Sequence, residues 1–584
     1  MTTINAVAST STIRFATFEV DLESRELRKQ GLRMRLEEKP FLILEMLLRR
    51  PGGVVTRQAL RERLWPDTHV RFDQNLNTAV NKLRDLLGDS AQSPRFIETL
   101  PRLGYRFICS PVYPDKPASM NGKKMLAVLP FENLSGDPQQ EFFADGLTEE
   151  MISHLGQLHP KRLGVIARTS AIQYKGTKKP VSEIAGELDV EYVIEGSVRC
   201  ADGHARITVQ LIEAADQTHL WSANYDRQLR QIFQVQSDIA REVGASLAGE
   251  LLPADPSTCI EFDPDAHEAY LRGRYFFGRR TEDDLRKAIT SFETALSIES
   301  RCARSYSGIA DSYSMLCWYG ALSPSETGQK AIDAATRAIA IEPELSEPHA
   351  SLALARFWYQ WDWSGAEAEF LRAIELNPSY ASAHHWYAAY LNAMGRFEEA
   401  HTTQRQARDL DPHSLMLNMG GADSFFFSRN YDAAIKHLLL LLEQAPHFVP
   451  AHFNLGRIYL ETGAADRAIE RFEKTVELSR NQVALPVLAH AYALSGRKDE
   501  AQAILRKSAE EFPGRYVPAP MLARVHLGLG EPELALDCLE RGFQERSYWM
   551  VFLNTDPVYD PIRFESRFQQ LLDRMAFSAK AAHA

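Results

Sequence analysis

Cysteine is sparse in this chain: six in 584 residues, at Cys109, Cys200, Cys259, Cys302, Cys317 and Cys538, with no CxxC pair and no His/Cys cluster. That scatter speaks against a disulfide scaffold or a structural zinc site and fits a reducing cytoplasm. Long apolar runs are also missing. The longest, 41–44 with 46–48, and 438–442, fall far short of the ~18 residues that span a bilayer. Residues 1–11 carry neither a basic segment nor an apolar core, so no secretion signal is expected. There is no GxxxxGK[ST], no GxGxxG after a strand and no GxSxG. No enzyme chemistry, cofactor or metal site is therefore expected.

What the chain has in plenty is apolar and aromatic residues: 45% of it is hydrophobic, with 29 Phe and 20 Tyr. That composition builds packed cores and excludes disorder. Its most regular feature is a recurring small residue, Ala288, Ala331, Ala366, Ala400, Ala434, Ala468, Ala501 and Ala535, spaced by 43, 35, 34, 34, 34, 33 and 34. Pro343, Pro378, Pro412, Pro446 and Pro513 each follow their alanine by twelve residues. Small residues let paired helices approach, and proline ends the second helix of each pair. Leu455-Gly456, Tyr459, Gly463, Ala468 and Phe472 complete one such unit.

The N-terminal region has a different pattern. Over 74–87, Leu76, Val80, Leu83 and Leu87 fall on one helical face. The other face carries Asn77, Thr78, Asn81, Lys82 and Asp85, with Arg84 at its flank. Amide, hydroxyl and cationic groups read base edges and hold phosphates. A hairpin follows, with Pro101, Arg102 and Gly104 at its bend. Residues 12–110 hold 18 basic and 13 acidic residues, a net +5, while the remainder carries −16 of the total −11. A basic domain on an acidic body suits a chain in which one domain meets phosphate.

Residues 12–110 resemble the OmpR/PhoB-type winged helix, in its ToxR/CadC-like branch. Strands around 15–20 and 27–36, a helix at 38–50 closed by Pro51-Gly52-Gly53, a second at 56–65 capped by Thr56, the Leu83-Arg84 pair and Gly104-Tyr105-Arg106-Phe107 carry the likeness. The resemblance implies base and phosphate contacts by Asn77, Thr78, Asn81, Lys82 and Arg84, and wing contacts by Thr99 and Arg102. It also implies a loop for RNA polymerase at Pro66, Asp67, Thr68 and His69, and tandem or homodimeric binding to repeated half-sites of double-stranded DNA. Asn81 and Ala79 stand where many members have arginine or histidine, and Pro101 replaces a residue often basic. Base preference does not carry over. ToxR/CadC-like regulators typically follow the winged helix with a membrane span; here 111–123 is a short proline-rich linker.

From 124 to 253 strands and helices alternate, giving an α/β domain closed by a helix over 232–251. Ala127-Val-Leu-Pro-Phe-Glu-Asn-Leu134, Phe142–Glu150 and Tyr192–Ser197 resemble the TolB amino-terminal-like domain. Asp145 with Thr148 is expected to start a helix rather than form a carboxylate site.

Residues 262–545 resemble tetratricopeptide repeats, about eight of them, with 546–576 as a C-terminal cap. The repeats imply an all-α solenoid whose concave face, including His385, Asn392, Phe453 and Arg457, takes an unknown protein or small-molecule effector. Trp358, Trp361, Trp363 and Trp386 read first as filling between repeats and second as a recognition hot spot. The chain thus reads as a three-part transcription regulator: an α+β winged helix, an α/β module and a helical solenoid. The alternative is an interaction scaffold whose winged helix docks protein.

Overall fold

The computed structural model describes residues 12–577, apart from 16–17, 22–25, 30–31, 35, 37, 49–53, 65–71, 91–93, 101–102, 109–122, 136–140, 159–161, 202–203, 229–234, 236–237, 240–241, 244–262, 480–483 and 512–515. The chain divides into two compact units, Met1–Gly122 and Lys123–Ala584.

In the first unit the strands expected around 15–20 and 27–36, the latter with a turn at Gln30-Gly31, are β1 (Thr12–Phe15), β2 (Phe18–Asp21), β3 (Glu26–Lys29) and β4 (Leu32–Met34), an antiparallel meander. Helix α1 (Glu38–Leu48), strand β5 (Val54–Thr56), helix α2 (Arg57–Leu64) and helix α3 (Phe72–Leu87) follow, then β6 (Ile97–Leu100) and β7 (Gly104–Phe107). The second sheet runs β5-β7-β6. Phe18, Val20, Leu27, Phe41, Leu44, Leu76, Val80, Leu83, Phe96 and Phe107 form one core between the helices and both sheets. Thr56 caps α2, its Oγ1 accepting from Ala59 N at 3.2 Å.

Helix α3 stops at Gly88, whose φ of 65° opens the left-handed region. Asp89 N then donates back to Arg84 O at 2.9 Å, a Schellman-type closure. The Asp89 carboxylate accepts from Arg95 N, Phe96 N and Ile97 N, which aims the chain into β6. Gly104 is needed for a different reason: a Cβ there would sit 2.1 Å from Val55 O on the neighbouring strand.

The second unit begins with a sheet ordered β10-β8-β11-β12-β13: β8 (Lys124–Val128), β10 (Leu163–Val165), β11 (Tyr192–Ala201), β12 (His204–Glu213) and β13 (Thr218–Gln228), with β9 (Glu132–Asn133) also on β11. The crossovers β8→β10 and β8/β11 are parallel, and the β11–β12–β13 part is antiparallel. Helix α4 (Glu141–Leu158) packs on the sheet through Ala144, Leu147, Met151 and Leu155. Val235, Ile239 and Val243, on the expected closing helix, are buried in the same core.

Eight helix pairs then follow, from Pro264–Arg279 with Glu282–Ile298 to Ala519–Leu529 with Pro532–Gln544. All eight periodic alanines are 0% exposed. Each lies where a larger side chain would push neighbouring helices apart. A Cβ on Gly456 would meet the Phe472 ring at 2.6 Å, the same economy of space in the most regular repeat.

The α/β part is fastened to the loops between repeats. Ala167 N donates to Leu410 O (2.8 Å), Val165 N to Ser379 Oγ (3.2 Å) and Ser170 Oγ to Asp411 Oδ1 (2.5 Å), while Tyr174 Oη lies 3.0 Å from the His413 ring. Burial raises the Asp411 carboxyl to about 6 in spite of these bonds.

The tail departs from the expected cap. Helix Ser566–Arg574 does lie on the last repeat, Arg567 pairing with Glu533, Asp537 and Glu540. The preceding 3-10 turns, Tyr548–Phe552 and Pro557–Ile562, instead run along the inside of the solenoid. Trp549 stacks with Trp318 (6.2 Å) and Phe552 with Phe427 (4.9 Å), while Tyr548 tilts against Trp318 (5.2 Å) and Trp358 (5.6 Å). No helix among the described residues is long and apolar enough to cross a membrane.

Candidate nucleic-acid interface

Helix α3 separates its two faces cleanly. Leu76, Val80, Leu83 and Leu87 are at most 3% exposed, whereas Asn77, Thr78, Asn81 and Lys82 face solvent. The polar set therefore forms one side of a helix whose other side is anchored in core, the geometry that lets a helix enter a major groove without unfolding.

Arg84 belongs to the inner face. It is 5% exposed, and its Nη2 donates to Ile97 O at 2.7 Å and to Thr99 Oγ1 at 2.8 Å. The expectation that Arg84 grips phosphate is corrected: its guanidinium is spent joining α3 to β6. Thr99 remains exposed at residue level, but its hydroxyl is Arg84's acceptor. Arg102 and the loop residues Pro66, Asp67, Thr68 and His69 lie outside the described residues.

Asn77 is held from two sides. Its Oδ1 accepts from Arg57 Nη2 at 2.9 Å and from Tyr105 Oη at 3.0 Å. With the acceptor oxygen so engaged, the amide NH2 is the group left to donate outward. Arg57 also lies over the Tyr105 ring at 5.7 Å. The helix before the recognition helix, the recognition helix and the wing thus meet at one amide. Neither Arg57 nor Tyr105 stands out for this role in the sequence alone; the signal is a cation at the first position of α2 and a tyrosine on the alternating wing strand. Arg61 and Arg63 on α2 and Arg95 before β6 are further exposed cations of this unit.

In the second unit the expected binding residues of the solenoid are occupied internally. His385 Nδ1 lies 3.1 Å from Gln404 Oε1, and Asn392 Nδ2 donates to Ser424 Oγ at 3.1 Å; both residues are buried. Arg457 is 6% exposed and pairs with Asp556 at 3.0 Å, and Phe453 lies 6.2 Å from Trp549. The face expected to be open is covered by the chain's own tail, because that tail supplies a carboxylate and aromatic rings to it. Trp358, Trp361 and Trp363 are buried, and Trp386 packs edge-on to Trp358 at 5.4 Å, so the tryptophans fill the interior.

Asp145 is not at the start of its helix, which opens at Glu141. It pairs with Lys175 (2.5 Å) and Arg168 (3.8 Å). Burial works against ionisation of neighbouring Glu149, but Arg274 and Arg168 outweigh it and hold the carboxyl below its ordinary range. Asp145 is paired within the α/β part, and Glu149, through Arg274, ties that part to the first repeat. Among the described residues no group of three or more His, Cys, Asp or Glu is placed to hold a metal ion.

Meander, three helices and a hairpin wing define the first unit as a winged helix-turn-helix. Comparison with known proteins agrees: residues 31–107 match the family described as transcriptional regulatory protein, C terminal. Residues 122–242 match the HilA/YgeH-like transcriptional regulator second domain, covering the part that resembles the TolB amino-terminal domain. Tetratricopeptide repeats match at 369–402, 420–483 and 482–507 with 521–541. The chain therefore carries an OmpR/PhoB-type winged helix, a HilA-type second domain and a tetratricopeptide solenoid.

Three relatives illustrate the range. "Putative adenylate cyclase 3" of Rhizobium meliloti (strain 1021) is 31% identical over 371 residues, 60% of this chain and 53% of that protein. This chain thus spans about half the length of that relative. "Transcriptional regulator HilA" of Salmonella typhimurium is 23% identical over 426 residues, 72% of this chain and 74% of that protein. "Transcriptional regulatory protein CusR" of Escherichia coli (strain K12) is 35% identical over 101 residues, 17% of this chain and 44% of that protein.

Proposed function

We propose that the protein is a transcription regulator that binds double-stranded DNA through its N-terminal winged helix and is controlled by contacts of its tetratricopeptide solenoid. The observation that carries this reading is the exposed row Asn77, Thr78, Asn81 and Lys82 on a helix whose opposite side is fully buried. Asn81 and Asn77 offer base-edge hydrogen bonds, and Lys82 offers charge to phosphate. The +5 charge of residues 12–110 adds the sequence-independent part of the affinity. The winged-helix and HilA-type matches support the same reading.

On this reading the protein acts in the cytoplasm, the segment 66–69 meets RNA polymerase, and two copies occupy repeated half-sites. Regulation rather than catalysis is the role: the matched domains are those of regulators, and the charged clusters of the second unit are structural pairs. The test is capture of genomic fragments by the purified protein, beside an Asn81→Ala/Lys82→Ala variant, at two salt concentrations. Selective fragments lost in the variant support the reading. Salt-insensitive or absent DNA binding favours a protein-docking scaffold.

A further inference from the structure

The inside of a tetratricopeptide solenoid is its usual binding surface, and here it is filled by a segment that has no repeat character. Residues from six repeats converge on it: Trp318, Phe357 with Trp358, Trp386, Phe427, Phe453 with Arg457, and Arg524. Tyr548, Trp549 and Phe552 project into successive aromatic slots. Four residues beyond Phe552, Asp556 is 0% exposed, and its Oδ2 accepts from Arg457 Nη2 (3.0 Å) and Arg524 Nη2. Arg429 and Asp560 close the rim at 2.7 Å.

This is the anatomy of a bound peptide: aromatic anchors in pockets and one desolvated, charge-paired group at the centre. The fit is incomplete in one respect. Asp556 Oδ1 is turned to its own backbone at Val558 N (3.2 Å), so both arginines share the other oxygen. Arg457 Nε and Arg524 Nε are buried without an acceptor. A carboxylate that offered both oxygens would satisfy more of these donors than Asp556 does. The solenoid's own Asp423 and Glu461 also act on Arg457, but burial raises both of those carboxyls, and the carboxylate hydrogen-bonded to both guanidiniums is the tail's Asp556. An anionic occupant therefore suits this groove better than an apolar one.

We propose that this groove is a peptide-recognition site occupied in cis by Tyr548–Asp560, and that its partner is an extended protein segment presenting aromatic side chains followed by a carboxylate, which exchanges with the chain's own tail. The proposal rests on reading the solenoid as the interaction part of the regulator. Its test reads peptide exchange alone, so its failure leaves DNA binding untouched.

The probe is a fluorescent peptide of residues 546–562, titrated into the full-length protein and into full-length Asp556→Asn. The wild-type chain competes with its own tail, so apparent affinity is reduced by the fraction of open groove. Asp556→Asn loosens the tail while leaving both arginines in place. The expected result is binding about tenfold or more tighter to the variant than to wild type, and loss of binding when the peptide itself carries the Asp556→Asn change. Absence of saturable binding to a variant with native circular dichroism overturns the proposal, as does equal binding of the two peptides. Should Asp556→Asn not fold, Asp560→Asn loosens the rim instead. Hydrogen exchange on the wild-type protein decides in either case: residues 548–560 should open at lower free energy than the repeat helices. Exchange of that segment only with global unfolding makes it part of the core and overturns the proposal.

Discussion

Arg84 Nη2 lies 2.8 Å from Thr99 Oγ1 and 2.7 Å from Ile97 O, so one buried guanidinium binds the recognition helix to the first strand of the wing. That contact holds α3 against β6, and the cation that looks most suited to phosphate is 5% exposed. A charged donor serving two acceptors inside a small core contributes to the fold, and its removal leaves both acceptors unpaired.

The first prediction follows directly. Arg84→Ala leaves the Ile97 carbonyl and the Thr99 hydroxyl without their donor and should destabilise residues 12–110 by about 2–3 kcal/mol. Chemical denaturation of the winged-helix unit within the full chain measures this. Lys82→Ala should cost under about 0.5 kcal/mol, being a surface change. A stability loss for Lys82→Ala equal to that for Arg84→Ala contradicts the division of α3 into two faces.

A second concerns Asn77. Tyr105→Phe removes one donor to its Oδ1, and Arg57→Ala removes the other. If Asn77 reads a base pair as proposed, each should relax discrimination there, with a loss of about 1 kcal/mol for the preferred site. Affinity for unrelated DNA should change little with Tyr105→Phe. Competition binding against sites varied one base pair at a time makes the comparison; unaltered selectivity in both variants removes Asn77 from the reading set.

A third tests the repeat spacing. Ala434 is 0% exposed between helices. Ala434→Leu should cost about 1–3 kcal/mol by overpacking, visible as a lower urea midpoint. No change would mean that the recurring alanine is not a packing requirement.

A fourth concerns acid. Burial lowers His154, His384 and His437 to about 4, and His267 and His490 to about 3. Between those values and the ordinary 6.5, the unfolded chain takes up protons these rings refuse, so stability falls as pH drops through that window. Burial also raises Asp409, Asp411 and Asp423 to about 6 and Glu461 to about 7. Those four act oppositely, their contribution being lost as pH rises through about 4 to 7. The imidazole share is isolated by substitution: His490→Gln removes one ring that resists protonation, so the variant should lose less stability than wild type between pH 7 and pH 5, read as urea midpoints at the two pH values. An equal loss in both proteins would contradict it.

The sequence made the periodic parts legible. Alanines at a fixed interval announce a stack because every repeat solves the same packing problem, and Leu76, Val80, Leu83 and Leu87 announce a buried face for the same reason. Arg84 is four residues after Val80 and eight after Leu76, on the buried stripe; residue type drew it to the polar side, and only the acceptors on β6 explain a cation inside. The role of the tail was not legible. Asp556 meets Arg457 across 99 residues and Arg524 across 32, and no local pattern encodes which distant surface an aperiodic segment covers. The same holds for Asn77, whose partners lie 20 and 28 residues away on other elements.

The most direct test of DNA recognition by the outer face of α3 is the salt dependence of binding to a captured site, for wild type and for Lys82→Ala. The account predicts a log–log slope reduced by about one in the variant, with affinity lowered alike for all sequences. An unchanged slope and affinity would contradict it.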